Sequence, residues 1–136
     1  MSPVCDRCQG AEGTSSHSFW FCPKLHRYWQ DIFSWYSAAY NLAVLPEVEL
    51  AIFGYAGTVS SFPYYVQLAL MLGMMVAKRI ILREWKSTVP PCFQRWLAEM
   101  ASVIHLEKMR FNEAKSLNKF SKIWSPFLHQ LNNSSM

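Results

Sequence analysis

Charge is what this sequence has least of. Lys, Arg, Asp and Glu make up 16% of its 136 residues, against about a quarter in a typical soluble domain. Between Leu50 and Ala77 there is no charged residue at all. The acidic residues are Asp6, Asp31 and Glu residues standing apart from one another. Two-metal phosphoryl transfer needs two or three carboxylates in one cluster, so the paired-Asp motif of a polymerase is absent. His105, Glu107 and His129 are lone residues on helical stretches without a nucleophile beside them, and solvated faces account for them. The expectation is a chain with no catalytic site of its own.

A disulfide framework and a leader are also missing. Three of the four cysteines crowd into residues 5–22, and Cys92 stands alone at the start of a helix as a core or surface thiol. Such spacing suits metal binding in a reducing compartment, cytoplasmic or nuclear, better than disulfides. The first residues, M-S-P-V-C-D-R-C, lack the apolar run of a signal peptide. The Asn132 and Asn133 sequons are then idle matches. The uncharged stretch is broken by Gly54, Gly57 and Pro63. What remains is shorter than the roughly 20 apolar residues of a membrane span, so it reads as a buried helix, with no membrane partner.

What the chain has is apolar and aromatic surface: 51% hydrophobic residues, including six tryptophans. The expected fold is mainly α, a small N-terminal CCHC zinc knuckle followed by a Trp-rich bundle of about three helices. Residues 1–23 form the knuckle, 24–131 the helical domain and 132–136 a disordered tail. Leu25, Tyr28, Trp29, Ile32, Phe33 and Tyr36 recur at spacings of three and four, predicting a helix over 24–40 with one apolar face. A second is predicted over 64–87, apolar nearly all round in its first half and therefore central. Pro90 and Pro91 stop it. A third covers 92–113, with Phe93, Trp96, Leu97, Met100, Val103, Ile104 and Met109 facing inward. Val48 to Phe53 is predicted as a brief strand or extended segment. Residues 115–119 read as a connector, and 120–131 as a last amphipathic turn or two interrupted by Pro126.

Cys5-x2-Cys8-x8-His17-x4-Cys22 offers three thiolates and one imidazole within 18 residues. Zn²⁺ takes four such ligands in a tetrahedron, and a closed Cys3His shell leaves no open position for water or substrate. The expected zinc is therefore structural. Phe19, Trp20 and Phe21 lie between the last two ligands. An aromatic in that place can stack on an exposed base or staple the knuckle to the first helix.

The order C-D-R-C, a Gly-rich gap, H-S-F-W-F-C-P-K-L and then Y-W-Q-D-I-F resembles the C-terminal segment of reverse-transcriptase polyproteins of LINE-type retrotransposons, most like those of fish. The later strings A-K-R-I-I-L-R-E-W-K, P-P and F-x-x-I-W-S-P-F follow in the same order, so the resemblance covers nearly the whole chain. In that family an endonuclease and a polymerase precede this tail. The resemblance implies that the tail binds nucleic acid, chiefly the element's RNA, during target-primed reverse transcription, and that Cys5, Cys8, His17 and Cys22 hold the metal.

The formal net charge of +4 permits an anionic partner such as RNA or single-stranded DNA. The residues expected to contact it are Trp20, Lys24, Arg27, Lys78, Arg79, Arg83 and Lys86. Arg79, Arg83 and Lys86 share a helical face. The competing function is a protein-interaction module in which zinc only orders the helical core, or a relic without function. Cations gathered on one face beside the knuckle favour nucleic acid; scattered cations favour the alternatives.

Overall fold

A computed structural model of the chain describes Trp20, residues 22–84 and residues 89–134. Among the described residues there are five α-helices and no strand. A 3-10 turn, Pro23–Leu25, leads into α1 (His26–Tyr40). After it come α2 (Val48–Phe53), a 3-10 turn at Gly57–Val59, α3 (Tyr64–Arg83), α4 (Phe93–Glu113) and α5 (Leu117–Ser134). The mainly helical expectation is met; Cys5, Cys8 and His17 of the expected knuckle lie outside the described residues.

The helices follow from their apolar faces. In α1 the predicted inner residues Tyr28, Trp29, Ile32, Phe33 and Tyr36 are all buried, as is Leu25 just before it. Asn41 ends α1 in the left-handed conformation (φ 55), which Asn tolerates better than most residues. The loop beyond is closed by Ser37, whose Oγ donates to the Val44 carbonyl and accepts from the Val44 N–H, each at 3.0 Å. In α4, Trp96, Met100 and Ile104 are buried, whereas Met109 is 53% exposed and does not belong to the inner face.

Two elements differ from expectation. Val48–Phe53 is a short helix, not a strand; Gly54 at φ 77 terminates it, a backbone state that glycine adopts without penalty. The C-terminal piece is a continuous helix from Leu117 to Ser134, so helix occupies positions where a connector and the first residues of a disordered tail were expected. Pro126 has no N–H to give the carbonyl four residues back. Burial of Phe120, Ile123, Trp124 and Phe127 along α5 supports the helix across that gap.

α3 is the centre, with α2, α4 and α5 packed on it, and α5 also lies against α1 and α4. It is long and apolar enough to cross a membrane, but half of its most apolar window is buried within the fold. Three aromatic side chains reach its backbone. Tyr36 Oη donates to the Ala69 carbonyl at 2.8 Å, Trp96 Nε1 to Gly73 at 3.1 Å, and Tyr28 Oη to Ala77 at 3.0 Å. The accepting residues are four apart, hence on one stripe of the helix, and all are small. A Cβ at Gly73 would stand 2.8 Å from Tyr36 Cζ and closer still to its hydroxyl oxygen, so only glycine lets this ring approach. Around the stripe, Phe127 of α5 packs against Trp35, Tyr36, Trp96 and Trp124, with centroids 5.3–5.9 Å apart.

Candidate functional site

The Tyr28 to Ala77 hydrogen bond brings the start of α1 beside the last turns of α3, and α4 begins there too, since the fields of Glu84, Cys92 and Arg95 all reach the Tyr28 hydroxyl. Most sequence-nominated cations therefore share one end of the bundle. Their side chains are largely engaged. Arg27 Nε donates to both carboxylate oxygens of Asp31, at 3.0 and 3.1 Å. Arg83 Nη1 meets Glu99 Oε1 across α3 and α4 at 3.0 Å, and the arginine's hydrogen bond holds the Glu99 carboxyl below its usual range. Arg95 of α4 pairs with Glu84 in the same way.

Lys78 is half-buried, and its Nζ donates to the Ile52 carbonyl in the last turn of α2. A cation there satisfies a terminal carbonyl and complements the helix dipole. Burial pulls the pKa of this ammonium down. Arg79 is exposed, with its field reaching Glu99 but no carboxylate within ion-pair distance among the described residues. Lys24 is exposed on the 3-10 turn. Lys86 lies outside the described residues. The expected shared face of Arg79, Arg83 and Lys86 is thus described for its first two members only, and Lys78 turns away toward α2.

Trp20 is half-buried and packs on α1, 5.5 Å from Trp29 and 6.1 Å edge-on from Phe33. It borders a hollow of about 180 Å³ with His26, Gln30 and Pro46. Trp20 thus packs on the first helix, as one of its two expected roles requires; the knuckle it would staple there lies outside the described residues. Beside Trp20, Cys22 immediately precedes the Pro23–Leu25 turn and is 1% exposed. Cys22 is the described member of the expected ligand set, and three thiols with one imidazole are the donor chemistry that a closed structural zinc takes. Cys5, Cys8 and His17 lie outside the described residues, and among those described no three His, Cys, Asp or Glu side chains converge.

Sequence reasoning passed over the lysines of α5. Lys119 and Lys122 are exposed, and neither meets a carboxylate among the described residues. Reading residues 115–119 as a connector concealed that Lys119 belongs to the helix. The available signal was compositional: no Asp or Glu occurs after Glu113. Comparison with known proteins returns nothing: no protein family, no curated protein and no solved structure matches this chain.

Proposed function

We propose that this chain is a non-catalytic nucleic-acid-binding module, taking RNA or single-stranded DNA, in which one structural zinc on Cys5, Cys8, His17 and Cys22 orders the N-terminal segment. The resemblance in Cys-His spacing and in the Trp-rich strings supports its origin as the C-terminal segment of a LINE-type reverse transcriptase, acting beside a polymerase domain in the cytoplasm or nucleus. Neither a membrane nor chemistry of its own enters this function.

Segregation of charge is the observation that carries it. Four arginines are held in ion pairs, while exposed lysines line a helix that has no acidic residue. Unpaired cations on an acid-free face attract a polyanion, and their release of counterions makes binding salt-dependent. Fluorescence polarisation with a labelled single-stranded RNA, across a salt series and with or without zinc, tests this. Affinity that falls steeply with salt is expected; no binding at low salt rejects the proposal.

One observation favours the protein-interaction alternative. Met75, Leu82 and Leu106 are 56–64% exposed and border, with Leu72, Val76 and Val103, a hollow of about 540 Å³ between α3 and α4. A zinc-loaded protein that ignores RNA but loses a partner when Leu106 becomes Asp would belong to that class.

A further inference from the structure

At the end of α3 away from the Arg83–Glu99 and Arg95–Glu84 pairs, its first turn meets the last turn of α4 and the first turns of α5 around a cleft of about 420 Å³. That volume falls within the roughly 300–1,000 Å³ that seats a small organic group. Two tyrosines and two lysines form its polar walls: Tyr64 and Tyr65 from α3, Lys119 and Lys122 from α5. Leu68 and Ile123 give it an apolar floor. Among the described residues no acidic side chain lines it.

The tyrosines of the cleft are far more exposed than the aromatic residues of the core. Tyr28, Tyr36, Trp96 and Trp124 are at most 2% exposed, whereas Tyr64 is 73% and Tyr65 37% exposed. Their rings therefore add little to the core and present apolar faces to solvent. Phe111, also at the cleft, is already covered: the Arg110 guanidinium lies 4.8 Å over its ring, and Phe120 packs 6.1 Å away. Arg110 in turn is paired with Glu107. Stacking capacity is left to Tyr64 and Tyr65. Across from them Lys119 and Lys122, three apart on one helix face, are not neutralised by any described carboxylate.

We infer that this cleft is a binding site for single-stranded RNA, in which a splayed-out base stacks on Tyr64 or Tyr65 and the adjoining phosphates meet Lys119 and Lys122. The inference rests on the nucleic-acid function proposed above and moves its principal contact from the arginine end to the α3–α5 end. Aromatic faces with flanking cations suit unpaired bases, because a duplex keeps its bases stacked on one another.

The test is fluorescence polarisation of the full chain, zinc-loaded, with a short fluorescein-labelled oligouridine over a salt series. Lys119→Gln with Lys122→Gln should weaken binding about tenfold or more at low salt. It should also reduce the steepness of the log–log salt plot by about 1.4, since each phosphate contact to a single strand contributes about 0.7. Tyr64→Ala should weaken binding roughly 5- to 100-fold with an unchanged salt slope, as stacking does not release counterions. All three positions are exposed, so far-UV circular dichroism should not change. Wild-type binding that survives both sets of substitutions overturns the cleft, and a loss confined to Arg79→Gln with Arg83→Gln does the same while leaving the nucleic-acid function standing. Failure of the wild-type chain to bind RNA at all overturns both.

Discussion

The two ends of α3 carry the same sign of charge and use it differently. At the C-terminal end, Arg83 and Arg95 reach acids on the neighbouring helix, Glu99 and Glu84, and Lys78 caps α2. At the N-terminal end, Lys119 and Lys122 face tyrosines and, among the described residues, no carboxylate. About 30 Å separates the ends, at 1.5 Å per residue over the 20 residues of α3. A cation count along the sequence treats them alike. What distinguishes them is which cations an acid reaches: Glu107 of α4 answers Arg110, whereas no described carboxylate answers Lys119 or Lys122.

The largest effect should come from disturbing the rod between the ends. Gly73→Ala pushes a methyl group into the Tyr36 ring, and overpacking of a core commonly costs about 1–3 kcal/mol. Loss of the Tyr36 and Trp96 hydrogen bonds to α3 would come on top of that. We expect a fall of about 3 kcal/mol in urea unfolding.

Alkali should come next. Burial raises the hydroxyl pKa values of Tyr28, Tyr36 and Tyr40 well above the usual value. The folded protein keeps these protons while the unfolded chain releases them above about pH 10. Stability is then full below pH 10 and declines above it, by about 1.4 kcal/mol per pH unit for each tyrosine withheld from ionisation. Thermal melts in a pH series should be flat from pH 7 to 9 and drop beyond 10. Melts unchanged at pH 11 would contradict the buried hydroxyls.

Metal removal should affect one end only. Cys8→Ser should abolish stoichiometric zinc uptake in native mass spectrometry and leave the helical circular-dichroism signal nearly intact, because the described core begins at Trp20 and Cys22. Collapse of the helical signal would show instead that the core depends on the metal.

The smallest effect belongs to the arginine pairs. Arg83 and Glu99 are partly exposed, and solvent-exposed pairs contribute little to stability. Arg83→Gln should lower stability only slightly and leave RNA affinity within about twofold. A large loss of affinity would return the contact to the arginine end.

Much of the fold was legible because α1, α3 and α4 are long enough for the 3.6-residue period to stand out: Tyr28, Trp29, Ile32, Phe33 and Tyr36 are buried as their spacing predicts. Six residues, Val48–Phe53, are too few to separate helix from strand by pattern; the Gly54 stop and the Lys78 cap that support a helix are respectively local and 26 residues distant. Pro126 argued for a break in the last helix, and tertiary burial of Trp124 and Phe127 on either side outweighed it. For the site, Trp20, Lys24 and Arg27 could be nominated from their nearness to Cys22. That Arg83 would be answered by Glu99 was not legible, because the pairing crosses two helices and a proline stop.

The three carbonyls at Ala69, Gly73 and Ala77 have a further consequence. Residues one turn beyond the stripe in either direction are Tyr65 and Ile81, too bulky to admit the rings that dock on it. A slip of α1 by one helical turn would therefore carry Tyr36 to Tyr65 or Tyr28 to Ile81 and strand that donor against a large side chain. The stripe acts as a key cut for one lock position. It makes the spacing between the two charged ends a property of residue count in α3, insensitive to changes in the connecting loops.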